Sequence, residues 1–162
     1  MEKREQAIEY FECKNLPSGE YRELCEKAQR VLPDAYSAYS GFSVGAALLL
    51  ENGEVITGTN QENAALPSGM CAERTALFYA GSRFPQVRVR AMAIAAADRN
   101  GPVKEYVAPC GACRQVMAET IRRGGDFDVI LCGEERTILL RASALLPFPF
   151  EDSKTVRLEE VF

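Results

Sequence analysis

The chain has 162 residues, 47% of them hydrophobic and 26% charged, with a net charge of −4 and no histidine. That is the composition of an ordinary soluble globular protein with a substantial core, so residues 1–162 are read as a single domain. The acidic balance argues against long nucleic acid or an anionic membrane as partner, since both need a basic face.

No stretch approaches the ~18 apolar residues of a membrane helix, and the charged start MEKREQAIEYFE has no signal-peptide core. A cytoplasmic protein is expected. Disulfides are disfavoured there, so the six cysteines are read as metal ligands or buried thiols, with Cys13, Cys25 and Cys132 as thiols.

Residues 1–17 are polar and weakly patterned, an N-terminal extension with one frayed helical turn at most. Ser18 is placed to cap a helix whose apolar stripe is Tyr21, Leu24, Cys25, Ala28, Val31 and Leu32, and Pro33 stops it. Phe42 to Leu50 reads as a buried strand. Asn52-Gly53 then signals a hairpin, with Val55 to Thr59 as the return strand. A loop carrying Asn60, Glu62 and Asn63 leads to an almost wholly apolar helix from Cys71 to Ala80, ended by Gly81.

Val87 to Ala97 suits a central strand, and Asp98 to Pro102 a turn. After Pro109-Cys110, the spacing of Ala112, Cys113, Val116, Met117, Thr120 and Ile121 predicts a helix closed by Gly124-Gly125. Phe127 to Cys132 and Thr137 to Leu140 read as short strands, Ala142 to Leu146 as one or two helical turns, and 151–162 as a tail. Strand–helix–strand alternation after an initial hairpin favours a layered α/β fold with a mixed sheet of five strands.

Chemistry concentrates in Cys71-Ala72-Glu73-Arg74 and Pro109-Cys110-Gly111-Ala112-Cys113. Three thiols with no histidine to complete a set of four match an open, catalytic zinc site better than a closed structural one. Both stretches fall at helix starts, where unpaired N–H groups and the helix dipole favour thiolates. Glu73 would stand beside the open position. A dithiol redox pair would leave Cys71 without a role, and a non-catalytic zinc module would need no carboxylate there.

Together, C-A-E and P-C-x-x-C resemble the zinc-dependent deaminase signature, with Cys in place of its histidine. From about Ser18 to Phe150 the chain resembles the small, homotetrameric, three-Cys cytidine deaminases, through AYSAYSGFSVGAAL, TGTNQENAA, CAERTAL, PCGACRQV and LLPFPF. The resemblance implies a three-layer α/β/α fold and one zinc per subunit on Cys71, Cys110 and Cys113. It makes Glu73 the proton shuttle, and Arg74 the group that hydrogen-bonds the ligand sulfurs.

It also implies that Asn60 and Glu62 bind the ribose, Phe42 packs on the pyrimidine, and the Ala72 N–H binds its O2. Ala64 and Phe150 would reach a neighbouring subunit's site in a homotetramer that shares its active sites. Leu66 departs from the family, which usually has an aromatic there. The implied reaction is hydrolysis of cytidine and deoxycytidine to uridine and deoxyuridine with release of ammonia, in pyrimidine salvage. A same-fold deaminase acting on blasticidin S is the nearest enzymatic rival.

Overall fold

The computed structural model of the chain describes residues 3, 7–13 and 19–152. In chain order the elements are β1 (Tyr10–Cys13), α1 (Glu20–Arg30), β2 (Ser43–Leu50), β3 (Val55–Thr59), α2 (Ala72–Arg83), β4 (Val89–Asp98), β5 (Gly101–Pro102), α3 (Gly111–Gly124), β6 (Asp128–Cys132) and β7 (Thr137–Arg141). Short 3-10 turns occupy Leu32–Asp34, Leu66–Ser68 and Ala142–Leu145.

The strands form one sheet in the order β1-β7-β6-β4-β2-β3, with β5 paired to β4. Among the described strands only β4 and β6 run parallel, so the sheet is mixed, as the alternation of elements predicts. The Asn52-Gly53 hairpin forms with Leu49 opposite Val55, and Gly53 takes the positive φ of 84° that such a turn requires.

The period of two along β2 and β4 divides the core. Ala46, Leu48, Leu50, Met92 and Ile94 face α2 and α3, whereas Ala47, Leu49, Ala91, Ala93 and Ala95 face α1. Three layers result, with α1 on one side and α2 and α3 on the other. Each fully buried Leu or Met contributes about 1.5–3 kcal/mol, which makes the α2–α3 face, with the larger side chains, a firm platform.

Several boundaries differ from expectation. The Ser18 cap lies outside the described residues, as does the side chain of Cys13. α1 ends at Arg30 and the chain tightens into a 3-10 turn, because Pro33 has no N–H with which to continue the helical hydrogen-bond ladder. Gly81 does not end α2, which runs to Arg83; burial of Ala76, Leu77 and Ala80 holds that turn in spite of the glycine.

The N-terminal extension is not a frayed helical turn where it is described. Tyr10–Cys13 forms a strand along the outer side of β7, pairing Tyr10 with Leu140 and Cys13 with Thr137. An exposed strand edge is a template for such pairing, and four residues are too few to show a period. With β5 added as well, the expected five strands become seven among the described residues. Cys25 and Cys132 are buried, as expected, and Cys132 donates to Cys25 across 2.7 Å between α1 and β6.

Candidate active site

α2 and α3 begin beside one another, each capped by a cysteine: Cys71 is the N-cap of α2 and Cys110 that of α3. Gly58 on β3 makes the α2 side possible. A Cβ there would stand 2.7 Å from both the Ala72 carbonyl oxygen and the Ala76 nitrogen, so strand and helix meet backbone to backbone. The Thr75 hydroxyl lies 3.1 Å from the Cys71 carbonyl and 3.2 Å from that of Thr59, tying the same helical turn to β3. On the α3 side, Arg114 donates to the carbonyls of Pro109 at 2.8 Å and Leu145 at 3.1 Å, fixing the approach to Cys110.

The three sulfurs therefore converge. Sγ of Cys110 lies 3.7 Å from that of Cys71 and 3.4 Å from that of Cys113, and all three fall within 4.8 Å. Tetrahedral zinc with Zn–S near 2.3 Å spaces its sulfurs by about 3.8 Å, so the cluster fits zinc, and thiolates select it over hard cations.

Cys113 is fully buried, and burial foremost pushes its thiol well above the usual range, with the carboxylate of Glu73 adding to it. For Cys110 burial acts in the same direction, but N–H groups of the first α3 turn and the neighbouring thiols outweigh it and bring the thiol below its usual range.

Arg74 donates to Sγ of Cys71 at 3.6 Å. Glu73, in the first turn of α2, is 4% exposed. Burial raises its carboxyl above the ordinary range, offset in part by its own N–H, the Cys113 thiol and Arg74.

Cys71, Cys110 and the carboxylate of Glu73 face a cavity of about 430 Å³, whose walls include Phe42, Asn60, Glu62, Leu66, Ala72 and Ile94. A hollow of about 450 Å³ lies elsewhere, between α3 and the Ala142–Leu145 turn; it is lined by Arg122, Arg141, Glu9 and Glu151 and holds none of the clustered thiols.

A family model described as "Cytidine and deoxycytidylate deaminase zinc-binding region" matches residues 18–123. The chain belongs to this deaminase family.

It is 50% identical over 97 residues to a cytidine deaminase of Halalkalibacterium halodurans, covering 59% of this chain and 68% of that protein. It is 33% identical over 143 residues to a probable cytidine deaminase of Dictyostelium discoideum, covering 87% and 90%. The crystal structure of a cytidine deaminase from Burkholderia pseudomallei superposes with a TM-score of 0.70 at 38% identity, over 80% of this chain and 98% of that one.

Within this deaminase framework, the expected substrate residues divide. Asn60 bridges the start of β2: its Oδ1 accepts from the Val44 N–H at 2.7 Å, and its Nδ2 donates to the Phe42 carbonyl at 2.9 Å. It thereby holds the backbone on both sides of Ser43, directly after the pocket-lining Phe42. One Oε of Glu62 accepts from the N–H groups of Tyr39 at 2.7 Å and Ser40 at 3.3 Å. The Ser40 hydroxyl first, then those amides, hold the carboxyl below the usual range.

Ala72 is buried at the first position of α2, where an N–H has no partner within the helix. Ala64 is exposed and is not among the residues lining this pocket. Phe150 is 79% exposed, with its backbone held by the side-chain amide of Gln115 on α3.

The residue-by-residue reading missed Met70, Ile94, Val107 and Ala108 as wall residues. Ile94 was accessible from the period of two on β4; Val107 and Ala108 carry no such signal.

Proposed function

We propose that this chain is a zinc-dependent hydrolase that deaminates cytidine and deoxycytidine. The observation that carries this reading is a buried carboxylate, Glu73, between a three-thiol cluster and a cavity of about 430 Å³. Cys71, Cys110 and Cys113 would hold the metal. Zinc, when bound, supplies the Lewis acidity that lets a water lose a proton near neutral pH.

Glu73 takes that proton and hands it to N3 of the ring as the bond from oxygen to C4 forms. It then takes the remaining proton from the oxygen now bonded to C4 and delivers it to the exocyclic amine, so that the C4–O double bond forms as the C4–N bond breaks and ammonia leaves. A carboxyl raised by burial suits both transfers, since it accepts and returns a proton with little penalty. Phe42 offers a face for the pyrimidine and the N–H of Ala72 a donor for O2. Asn60 and Glu62 retain hydrogen-bonding capacity for the sugar beyond their backbone contacts.

Among the described residues the sole cation lining the cavity is Arg74, which is engaged with a ligand sulfur. A 5′-phosphate would meet Glu62 and Glu73 without a matching charge, which favours nucleosides over nucleotides. Exposed Phe78 and Tyr79 on α2 and Phe148 and Phe150 near the C-terminal side support a homotetramer, in which Ala64 and Phe150 would contact a neighbour's substrate. We read residues 1–162 as one cytoplasmic domain; no helix among the described residues is long and apolar enough to cross a membrane.

The test is ammonia release and ultraviolet change with cytidine, deoxycytidine, cytosine, CMP, deoxycytidylate and blasticidin S. Turnover of the two nucleosides is expected. Activity on the free base alone, on nucleotides alone, or on none overturns the assignment.

A further inference from the structure

We propose that Glu12 is a positioning residue for the substrate pocket, acting through Arg136 on the segment 103–109 that walls it; the proposal rests on the deaminase reading above. β1 carries Glu12 opposite Ile138 on β7, and its carboxylate lies 2.7 Å from one arm of the Arg136 guanidinium. The other arm lies 3.3 Å from Glu105, and the guanidinium stands 5.4 Å over the ring of Tyr106. One planar fork thus joins the N-terminal strand, the start of β7 and the segment ahead of Cys110. Arginine suits this role because its donors are fixed in direction and its face stacks on aromatics.

The gripped segment is seated on the β6–β7 turn. The N–H groups of Glu134 and Glu135 donate to the carbonyls of Val103 and Lys104 at 3.0 and 2.9 Å. At Gly133 a Cβ would stand 2.6 Å from the Lys104 oxygen, so turn and segment pack backbone on backbone. Directly after Tyr106, Val107 and Ala108 line the cavity and Cys110 supplies a thiol. The side chains that Arg136 touches are therefore those immediately ahead of the pocket wall.

Glu12 and Arg136 are 44% and 37% exposed. Exposed ion pairs add little to global stability, so the effect falls on the placement of the wall and on substrate affinity. The fold itself should be indifferent.

The experiment compares the wild-type holoenzyme with Glu12→Gln, Glu12→Asp, Arg136→Met and the Glu12→Gln/Arg136→Met double variant. The measurements are kcat and KM for cytidine, Tm, and amide exchange across residues 103–108. Glu12→Gln is expected to raise KM about two- to fivefold with kcat and Tm nearly unchanged, with Glu12→Asp restoring part of the loss. Arg136→Met should do at least as much, and the double variant no more than Arg136→Met alone.

Faster exchange in 103–108 should accompany each rise in KM. Unchanged KM and exchange in Glu12→Gln, or effects that multiply in the double variant, overturn the proposal. Should the wild type fail to deaminate cytidine, the deaminase reading falls, and the exchange rates alone decide whether Glu12 braces the segment.

Discussion

Arg74 reaches back one helical turn to donate to Sγ of Cys71, 3.6 Å away. Three thiolates and a divalent zinc sum to a charge of about −1, which blunts the metal as an electrophile. A guanidinium on one sulfur withdraws part of that charge. Arg74→Gln is expected to keep zinc and lower kcat about 10- to 100-fold, as loss of a partner to a metal ligand does. Zinc analysis beside steady-state kinetics checks it; unchanged kcat would assign Arg74 to packing alone.

Replacing Glu73 by Gln keeps the shape of a side chain that is 4% exposed and removes its proton traffic. Turnover should fall by about 10²- to 10⁴-fold, the range for loss of a general acid–base group, with zinc content and Tm close to wild type. A non-catalytic zinc module would show no change in any function it has.

Gly58→Ala places a methyl 2.7 Å from two backbone atoms of α2, neither at the end of a flexible side chain. The helix must shift, at about 1–3 kcal/mol as for other overpacked sites, and the shift lies at the Cys71 cap. Lower Tm and weaker zinc retention are expected together, read by calorimetry and by competition with a chromogenic chelator. A loss of Tm without loss of zinc would separate the strand–helix contact from the metal cluster.

Glu62 gives a pH prediction of definite sign. Its native carboxyl is held below the usual range by the Ser40 hydroxyl and the Tyr39 and Ser40 amides. The ionised form therefore favours the native state, fully so above the unfolded value near pH ~4.3. That contribution fades as pH falls through the lower native value. Thermal melts of wild type and Glu62→Gln should differ by a constant amount above pH ~5 and converge in acid. Divergence on acidification would contradict the assigned hydrogen bonds.

Much of this was legible in the sequence, for physical reasons. The Cys71 and Cys110 caps followed from where apolar periodicity begins, and the β2–β3 hairpin from Asn52-Gly53. What stayed hidden depends on partners distant in the chain. β1 has four residues and acquires its state from β7. Asn60 looked like a ligand for sugar, yet its amide also organises the backbone around Phe42, a contact across 18 residues that no local pattern encodes. Val107 and Ala108 become pocket walls only because β6 and β7 turn beneath the preceding residues.

The cysteine caps of α2 and α3 stand 39 residues apart, and the whole of central strand β4 lies between them. A metal held by both caps would close that loop much as a covalent cross-link does, removing entropy from the unfolded chain. Its binding energy would then count toward folding, and the melting temperature would climb with free zinc concentration by mass action. For this molecule, a melting curve recorded without a stated metal concentration would describe no single stability.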